Sequence, residues 1–250
     1  MSPFPATEPV APIPFRGELE FEFLRPTPEL TDAELHRAMG LAAKRPVRPN
    51  LRAVLEKMVA DLLPEAQPRL VLGVASARTM LAALPEYPTF ERYLESAERA
   101  VLIAGSAGLP PGPDDPFADP LLQYVRNAVA IALVRKLFTW ARRHLQSRWP
   151  EWTTAEPLTP GNCGIPLEMQ SAFLNQLPIV AVDIAYDPER NLLTPLASIS
   201  GLIGVGRYPA IDGIVCSRCP SQHCPLREAD FNPEKFRELN WYCARPKLEA

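Results

Sequence analysis

The chain has 250 residues, of which 47% are hydrophobic and 22% charged, a balance typical of a globular protein with a substantial core. Its net charge of −3 gives no electrostatic reason to expect a nucleic acid as partner. No stretch approaches the ~20 apolar residues that cross a bilayer, and the first residues lack the basic start and apolar run of a signal peptide. We therefore expect a cytoplasmic protein without nucleic-acid or membrane partners.

Proline is the unusual component of the chain, with thirty residues in all and five among the first fourteen. Residues 1–14 have neither helical nor strand periodicity, which predicts a proline-rich disordered arm. Residues 17–24 alternate polar and apolar side chains, which predicts a half-buried strand. Thr31 and Glu34 have the spacing of a capping box and predict the start of a helix. Asn50 is predicted to cap a second helix.

Two apolar runs, residues 70–75 and 100–104, predict buried strands, and Thr89 is expected to open a helix between them. The longest helix is expected from Asp119 to about residue 148. A proline in its first turn is well placed, because no intrahelical hydrogen bond is lost there. We interpret the basic residues of this helix as a solvated face. They are Arg135, Lys136, Arg142, Arg143 and Arg148.

The segments beyond this helix complete the predicted core. Residues 159–166 are interpreted as a loop, residues 167–177 as a helix, and residues 179–185 and 198–205 as strands. Strands and helices interleave without a regular βαβ rhythm. The expected fold class is therefore α+β, with a mixed, mainly antiparallel sheet flanked by helices over residues 15–210.

Four of the five cysteines lie in the last thirty-five residues of the chain. Cys216, Cys219, Cys224 and Cys243 have the spacing C-x2-C-x4-C-x18-C. Residues 211–250 are therefore predicted to form a small cysteine-rich metal module. Four thiolates suit a [4Fe–4S] cluster or a tetrahedral zinc ion equally well by number.

Three features of this segment favour iron over zinc. Structural zinc sites usually contain two short C-x2–4-C knuckles, and this segment has one. Three ligands in one tight loop with a distant fourth are typical of clusters. Pro220 and Pro225 follow two of the cysteines, as in ferredoxin sequences. The alternatives are a zinc site, in which His223 can replace Cys243, and thiols without a metal.

Two segments of the chain resemble a known family. Residues 160–170, PGNCGIPLEMQ, contain a Pro-Gly turn before a predicted helix. Residues 193–204, LTPLASISGLIG, contain the pattern Pro-x-x-Ser-x-Ser-Gly at the opening of a predicted strand. In this order and spacing they resemble the reactivation domain of cobalamin-dependent methionine synthase and its stand-alone relatives. The resemblance extends over about residues 119–206.

The resemblance implies a role in cobalamin repair. In this family the domain docks over the corrin ring of a cobalamin that has been oxidised to the inactive cobalt(II) state, while an electron is delivered. It implies a corrinoid-binding methyltransferase or methionine synthase subunit as partner, and an upstream electron donor. The residues implied in binding the partner's cobalamin are Pro160, Gly161, Cys163, Ser198, Ser200 and Gly201.

Three of these residues also have simpler interpretations. Cys163 suits an ordinary free cysteine in a loop as well as a thiol that faces the corrin. Strand alternation places Ser198 and Ser200 on one face. There they can donate to a corrin side chain or form hydrogen bonds with neighbours of their own strand.

The sequence departs from the methionine synthase pattern at the S-adenosylmethionine site. That pattern has an arginine shortly before the Pro-Gly turn, whereas residues 156–159 contain no cation. Asn162 stands in place of the tyrosine after the turn, and the cysteine module replaces a tyrosine-rich segment. We therefore do not expect S-adenosylmethionine to bind.

Two functional hypotheses follow from the sequence. The first is a redox activator that passes an electron from its own [4Fe–4S] cluster to a partner's cob(II)alamin. The second is a non-enzymatic protein that binds or scaffolds a corrinoid protein, with zinc or a cluster as a structural element. The sequence contains no phosphate-binding glycine loop, dinucleotide motif or evident nucleophile–base pair.

Overall fold

The computed structural model of the chain describes residues 19–40, 49–110, 119–161, 165–207, 215–217 and 229–234. The predicted arm, residues 1–14, lies outside these ranges. In chain order the strands are β1 (Glu20–Leu24), β2 (Arg69–Ser76), β3 (Arg99–Ser106), β4 (Thr153–Thr154), β5 (Ala185–Asp187), β6 (Leu192–Thr194) and β7 (Ser198–Gly206). The helices are α1 (Asp32–Ala38), α2 (Pro49–Leu62), α3 (Ala77–Ala83), α4 (Pro88–Leu94), α5 (Pro120–Arg148) and α6 (Gln170–Leu174).

Five of these strands form one sheet in the order β1, β2, β3, β7, β4. Every neighbouring pair in it is antiparallel, and β5 and β6 form a separate antiparallel hairpin. β2 and β3 pair along their whole length, from Arg69 opposite Ser106 to Ser76 opposite Arg99. The α+β class expected from the sequence is confirmed, although the sheet in the described residues is wholly antiparallel and not mixed.

Helices cover both faces of the sheet. α1, α2 and α5 pack on the face to which Leu70 and Leu72 point, and α3, α4 and α6 pack on the face of Val71 and Ala75. Because both faces of β2 and β3 are buried, these strands have nearly continuous apolar sequences. The predicted strands at residues 70–75 and 100–104 are therefore confirmed.

The long helix α5 lies across the first of these faces. The Asp119 side chain caps it by accepting a hydrogen bond from the Leu122 N–H at 2.9 Å, and Pro120 is its first residue. Its apolar side chains pack against β2, β3 and β7. The predicted helix is confirmed at both ends. No helix within the described ranges is both long and apolar enough to span a membrane.

One predicted strand is wrong. Residues 179–185 form the 3₁₀ turn Ile179–Val182, and only the last residue of this run belongs to β5. Pro178 precedes the turn and cannot donate to a strand ladder. Asp183 ends the turn in the left-handed backbone conformation, with φ of 57°, which an extended strand cannot accommodate.

Among the other helix predictions, the start of α1 is confirmed and the remaining boundaries are wrong. The capping box of Thr31 and Glu34 is present at the start of α1. Asn50 is not an N-cap, since α2 begins one residue earlier. The helix expected over residues 167–177 is a 3₁₀ turn followed by the five residues of α6. α3 was not predicted, and Ser76 at the end of β2 caps it.

A β-bulge interrupts the pairing along the outer edge of β7. Thr154 lies opposite Val205, whereas Leu158 lies opposite Leu202. We call residues 154–160, which run along this edge of β7, the covering chain. The four residue steps from Thr154 to Leu158 therefore lie opposite the three steps from Val205 to Leu202, so the covering chain has one extra residue. An extra residue of this kind leaves backbone groups without their ladder partners.

The hydroxyl of Tyr93 occupies this interruption. It accepts a hydrogen bond from the Gly204 N–H at 3.1 Å and donates to the Glu156 carbonyl at 2.8 Å. The tyrosine itself is fully buried between α4 and the sheet. It therefore satisfies backbone groups on both sides of the bulge, which otherwise would be buried and unpaired.

Replacing Tyr93 with phenylalanine should lower the free energy of unfolding by about 1–3 kcal/mol, the cost of leaving buried polar groups unpaired. The ring and its packing remain, so the change isolates the hydroxyl. Chemical denaturation measures the effect. Tyr186→Phe is the matched control, because its hydroxyl bonds the half-buried Asn191 side chain at 2.7 Å, where water can replace it. Equal losses in the two variants would contradict the proposed role of Tyr93.

Candidate functional site

A cleft of about 500 Å³ opens beside the start of β7. α1 and α5 contribute one wall, and residues 156–160, α6 and β6 contribute to the other. Its lining includes Lys136, Arg142, Glu156, Pro160, Ser200 and Cys216.

The cleft exists because β7 is only partly covered along its outer edge. β4 pairs with the end of β7 and Leu158 bridges to Leu202, but no described strand pairs with residues 198–201 on that side. The covering chain turns at Pro160, which has no N–H to donate, and at Gly161, whose φ of 78° favours glycine. The start of β7 is therefore left facing the cleft.

The structure brings together residues from both segments of the resemblance. Pro160, Ser198, Ser200 and Cys216 line the same cleft, although they come from separate parts of the chain. Gly161 and Gly201 are the chain neighbours of two of them. The remaining predicted site residues lie outside the described residues. They are Cys163, Cys219, Cys224 and Cys243.

The two serines of β7 differ in their hydrogen bonding. Ser198 donates from its hydroxyl to the Pro195 carbonyl at 2.6 Å. Ser200 is 5% exposed, and its buried hydroxyl has no hydrogen-bond partner among the residues that the structure describes. Buried polar atoms are normally paired. Ser200 thus keeps an unused donor at the cleft.

Gly201 has a packing reason to be glycine. A Cβ atom at this position would lie 2.9 Å from the Phe138 ring and 3.0 Å from the Leu158 carbonyl oxygen. Glycine therefore permits α5 and the covering chain to approach β7 closely. This role is independent of any ligand.

Lys136 contradicts the interpretation of the basic residues of α5 as a solvated face. It is only 6% exposed, and its ammonium donates to the Glu34 carboxylate at 3.0 Å and to the Glu29 carbonyl at 2.9 Å. Burial alone raises the pKa of Glu34, but hydrogen bonds from Thr31 and Lys136 outweigh it and hold this pKa below its ordinary value. The pair ties α1 to α5 in the wall of the cleft.

Arg142 anchors the opposite wall to the same helix. Its guanidinium donates to the Glu156 carboxylate and to the Thr154 hydroxyl, both at 2.9 Å. Arg148 pairs with Glu20 and Glu22 of β1. Of the five basic residues of α5 named above, Arg143 is the one that is exposed, at 66%, as the predicted solvated face requires.

Sequence reasoning assigned neither Lys136 nor Arg142 to a site. A signal was available for Lys136, because it lies four residues after Ala132 and four before Trp140, both buried. Helical periodicity therefore placed a lysine on the apolar face. Nothing local in the sequence indicated the pairing of Arg142 with Glu156, since that contact depends on the path of the chain after β4.

The predicted metal module is described only in part. Cys216 is half-buried in the 3₁₀ turn Val215–Ser217 and lines the cleft. The Asn232 N–H donates to the Ser217 carbonyl at 2.7 Å, so the chain that leaves this turn also returns to it. Within the described residues, no three His, Cys, Asp or Glu side chains are grouped to hold a metal. The four-cysteine ligand set therefore stays a prediction.

No family model matches the chain, and no curated protein matches it. The resemblance to the reactivation domain therefore rests on the two sequence segments quoted above. What the structure adds is their placement around one cleft.

Substituting Gly201 with alanine should destabilise the protein by about 1–3 kcal/mol, as overpacking of a filled core does. The added methyl group would push against Phe138 and the Leu158 carbonyl. Gly204→Ala is the matched control on the same strand, because the nearest atoms to a Cβ there lie at 3.4–3.6 Å, ordinary contact distances. Chemical denaturation should show a larger loss for Gly201→Ala, and the reverse order would refute the packing explanation.

Changing Glu34 to glutamine should lower the free energy of unfolding at neutral pH by roughly 1.5 kcal/mol, the low end for a hydrogen bond between charged groups. The low end applies because this side chain is 33% exposed. The folded-state pKa lies below the ordinary 4.5, so the carboxylate stabilises the fold above that pH. The stabilisation is lost as the pH falls through the folded-state pKa.

The difference between wild type and Glu34→Gln should therefore shrink below pH 4.5 in denaturation curves recorded across the acidic range. Glutamine can still serve in a capping box, so the start of α1 is kept. Glu56→Gln, which breaks an exposed pair with Arg52, is the control and should cost less than about 0.5 kcal/mol. A constant difference down to pH 3 would show that the charge of Glu34 is not the cause.

Proposed function

We propose that the protein reductively reactivates a corrinoid protein by passing an electron to its cob(II)alamin. One observation carries this proposal. Pro160 and Ser200, which come from the two segments of the resemblance, share a cleft with Cys216, the first predicted metal ligand. A redox activator needs this proximity, because the docked corrin and the electron-donating group must lie close together.

The predicted ligand set fits a cluster in its donor chemistry. Cys216, Cys219, Cys224 and Cys243 would hold a [4Fe–4S] cluster, which supplies a one-electron couple when bound. The half-buried position of Cys216 shields one ligand from water. The residues that line the same cleft include four cations and two carboxylates, and this excess of positive charge would offset the negative charge of cysteine ligands.

The surroundings of the cleft suit a protein partner. Leu196, two residues before Ser198, is 78% exposed. Leu167 is 42% exposed, and its Cδ1 atom lies 3.4 Å from the point where a Cβ atom on Gly161 would stand. A docked protein partner would cover these two apolar side chains. We expect a corrinoid-binding methyltransferase or methionine synthase subunit to dock here and present its cobalamin to the start of β7.

The proposed reaction transfers one electron. Cobalt(II) gains it and becomes cobalt(I), and a low-potential upstream donor loses one electron to restore the activator. The residues of the cleft have two tasks. Pro160 and the edge of β7 contact the docked corrin. The cysteine segment begins at Cys216, ten residues beyond the end of β7, so the electron-donating group belongs to the same chain.

Metal analysis after anaerobic purification should find iron and sulfide in the wild-type protein. Cys216→Ser, Cys219→Ser and Cys224→Ser should each lose most of the iron, and Cys243→Ser should lose it or retain a labile three-ligand form. Cys163→Ser is the matched control and should keep the iron content unchanged. Stoichiometric zinc in place of iron would favour the scaffolding hypothesis, because zinc has no redox chemistry.

The electron-transfer step is tested with a corrinoid partner under anaerobic conditions. The wild-type protein, reduced beforehand and freed of reductant, should convert the partner's cob(II)alamin to the cob(I) state in an absorption assay. Cys219→Ser should bind the partner and fail to reduce it. Equal rates for the two proteins would overturn the redox role and leave a binding function.

A further inference from the structure

Buried polar side chains concentrate at the cleft. Six polar or charged residues in the described part of the chain are buried, and three of them, Lys136, Gln170 and Ser200, line this one cavity. Burying a polar group is costly unless it finds a partner. A protein interior that gathers such groups around an opening is equipped to hold a polar ligand.

Ser200 supplies the most specific of these groups. Its hydroxyl is withdrawn from water and has no partner in the described part of the chain, whereas the hydroxyl of Ser198, two residues away, donates to the Pro195 carbonyl. A serine hydroxyl has one donor and can turn between staggered rotamers. The register of β7 directs Ser200 to the same face as Ala104 of β3, the face that α6 covers, beside the open edge of β7. Since no described group holds the hydroxyl, it can turn toward an acceptor that enters the cleft at this edge.

The charge of the cleft selects the kind of acceptor. Among the described residues that line it, four are basic and two are acidic, in a chain whose net charge is −3. The basic residues are Arg37, Arg135, Lys136 and Arg142, and the acidic residues are Glu34 and Glu156. A concave surface with excess positive charge concentrates anions.

We propose that the cleft binds a small molecule through an oxyanion, a carboxylate or a phosphate, that accepts a hydrogen bond from Ser200. The volume of about 500 Å³ falls within the range of small-molecule sites and exceeds what a single inorganic ion needs. The oxyanion occupies the end of the cleft at the start of β7, and the rest of the ligand extends between α5 and the Pro160 turn. This inference rests on the polar groups of the cleft and does not depend on electron transfer.

Titration of the full-length protein with inorganic phosphate and, separately, with succinate tests the proposal. Calorimetry gives the dissociation constants, and amide chemical shifts report whether Ser200 and its neighbours sense the ligand. At least one of the two probes should bind at millimolar concentration or below. The probe that binds more tightly identifies the oxyanion as a phosphate or a carboxylate.

Ser200→Ala should weaken the binding of that probe about tenfold or more, the effect of losing a hydrogen bond to a charged group. Because no described residue bonds this hydroxyl, the variant should be as stable as wild type or more stable. Ser198→Ala is the matched control and should bind normally. Arg135→Gln should also weaken binding and reduce its dependence on salt concentration.

Two outcomes would overturn the proposal: no binding of either probe, or equal affinity in wild type and Ser200→Ala. The Cys219→Ser protein, tested alongside, should bind the anion as wild type does. Loss of electron transfer in that variant with anion binding intact separates this inference from the proposed function. Loss of anion binding in Cys219→Ser would contradict its independence from the cysteine segment.

Discussion

The hydroxyl of Tyr93 joins β7 to the covering chain at the bulge where the pairing along the outer edge of the sheet is interrupted. Burial raises the pKa of this phenol, so it keeps its proton and can donate to one backbone group while accepting from another. It thereby stabilises a bulge in which the covering chain shifts register against β7. Beyond the bulge Leu158 alone among the described residues pairs with this edge of the strand, and the chain then turns at Pro160. The open start of β7, and with it the cleft, follows from this local arrangement.

α5 gives the cleft its two walls through a second kind of contact. Its apolar side chains cover the sheet, while Lys136 and Arg142 reach in different directions from the same helix. Lys136 holds the segment before α1, and Arg142 holds the segment after β4. Both contacts are ion pairs with carboxylates, Glu34 and Glu156, that line the cleft as well. The interactions that assemble the walls therefore also place charged groups beside the space between them.

The parts of the fold that could be predicted are those encoded in short stretches of sequence. The capping box of Thr31, the proline-led start of α5 and the apolar runs of β2 and β3 depend on neighbours a few residues away. The 3₁₀ turn Ile179–Val182 has the apolar composition of a buried strand, and a run this short shows no periodicity that would distinguish the two. The left-handed backbone of Asp183, which ends the turn, is not evident from the sequence. β4, the bulge and the cleft depend on contacts between distant segments, which composition and periodicity do not specify.

The two proposals concern one space and are linked through charge. Cysteine ligands of a metal carry negative charge, as does an oxyanion, and both would draw on the basic residues that line the cleft around Cys216 and Ser200. Charges of the same sign that share one cleft repel each other. An anion bound at Ser200 must therefore oppose the addition of an electron nearby, and an added electron must weaken the binding of the anion by the same free energy. Under the two proposals the cleft would act as a single electrostatic unit, in which the position of Ser200 relative to Cys216 would set the strength of the coupling.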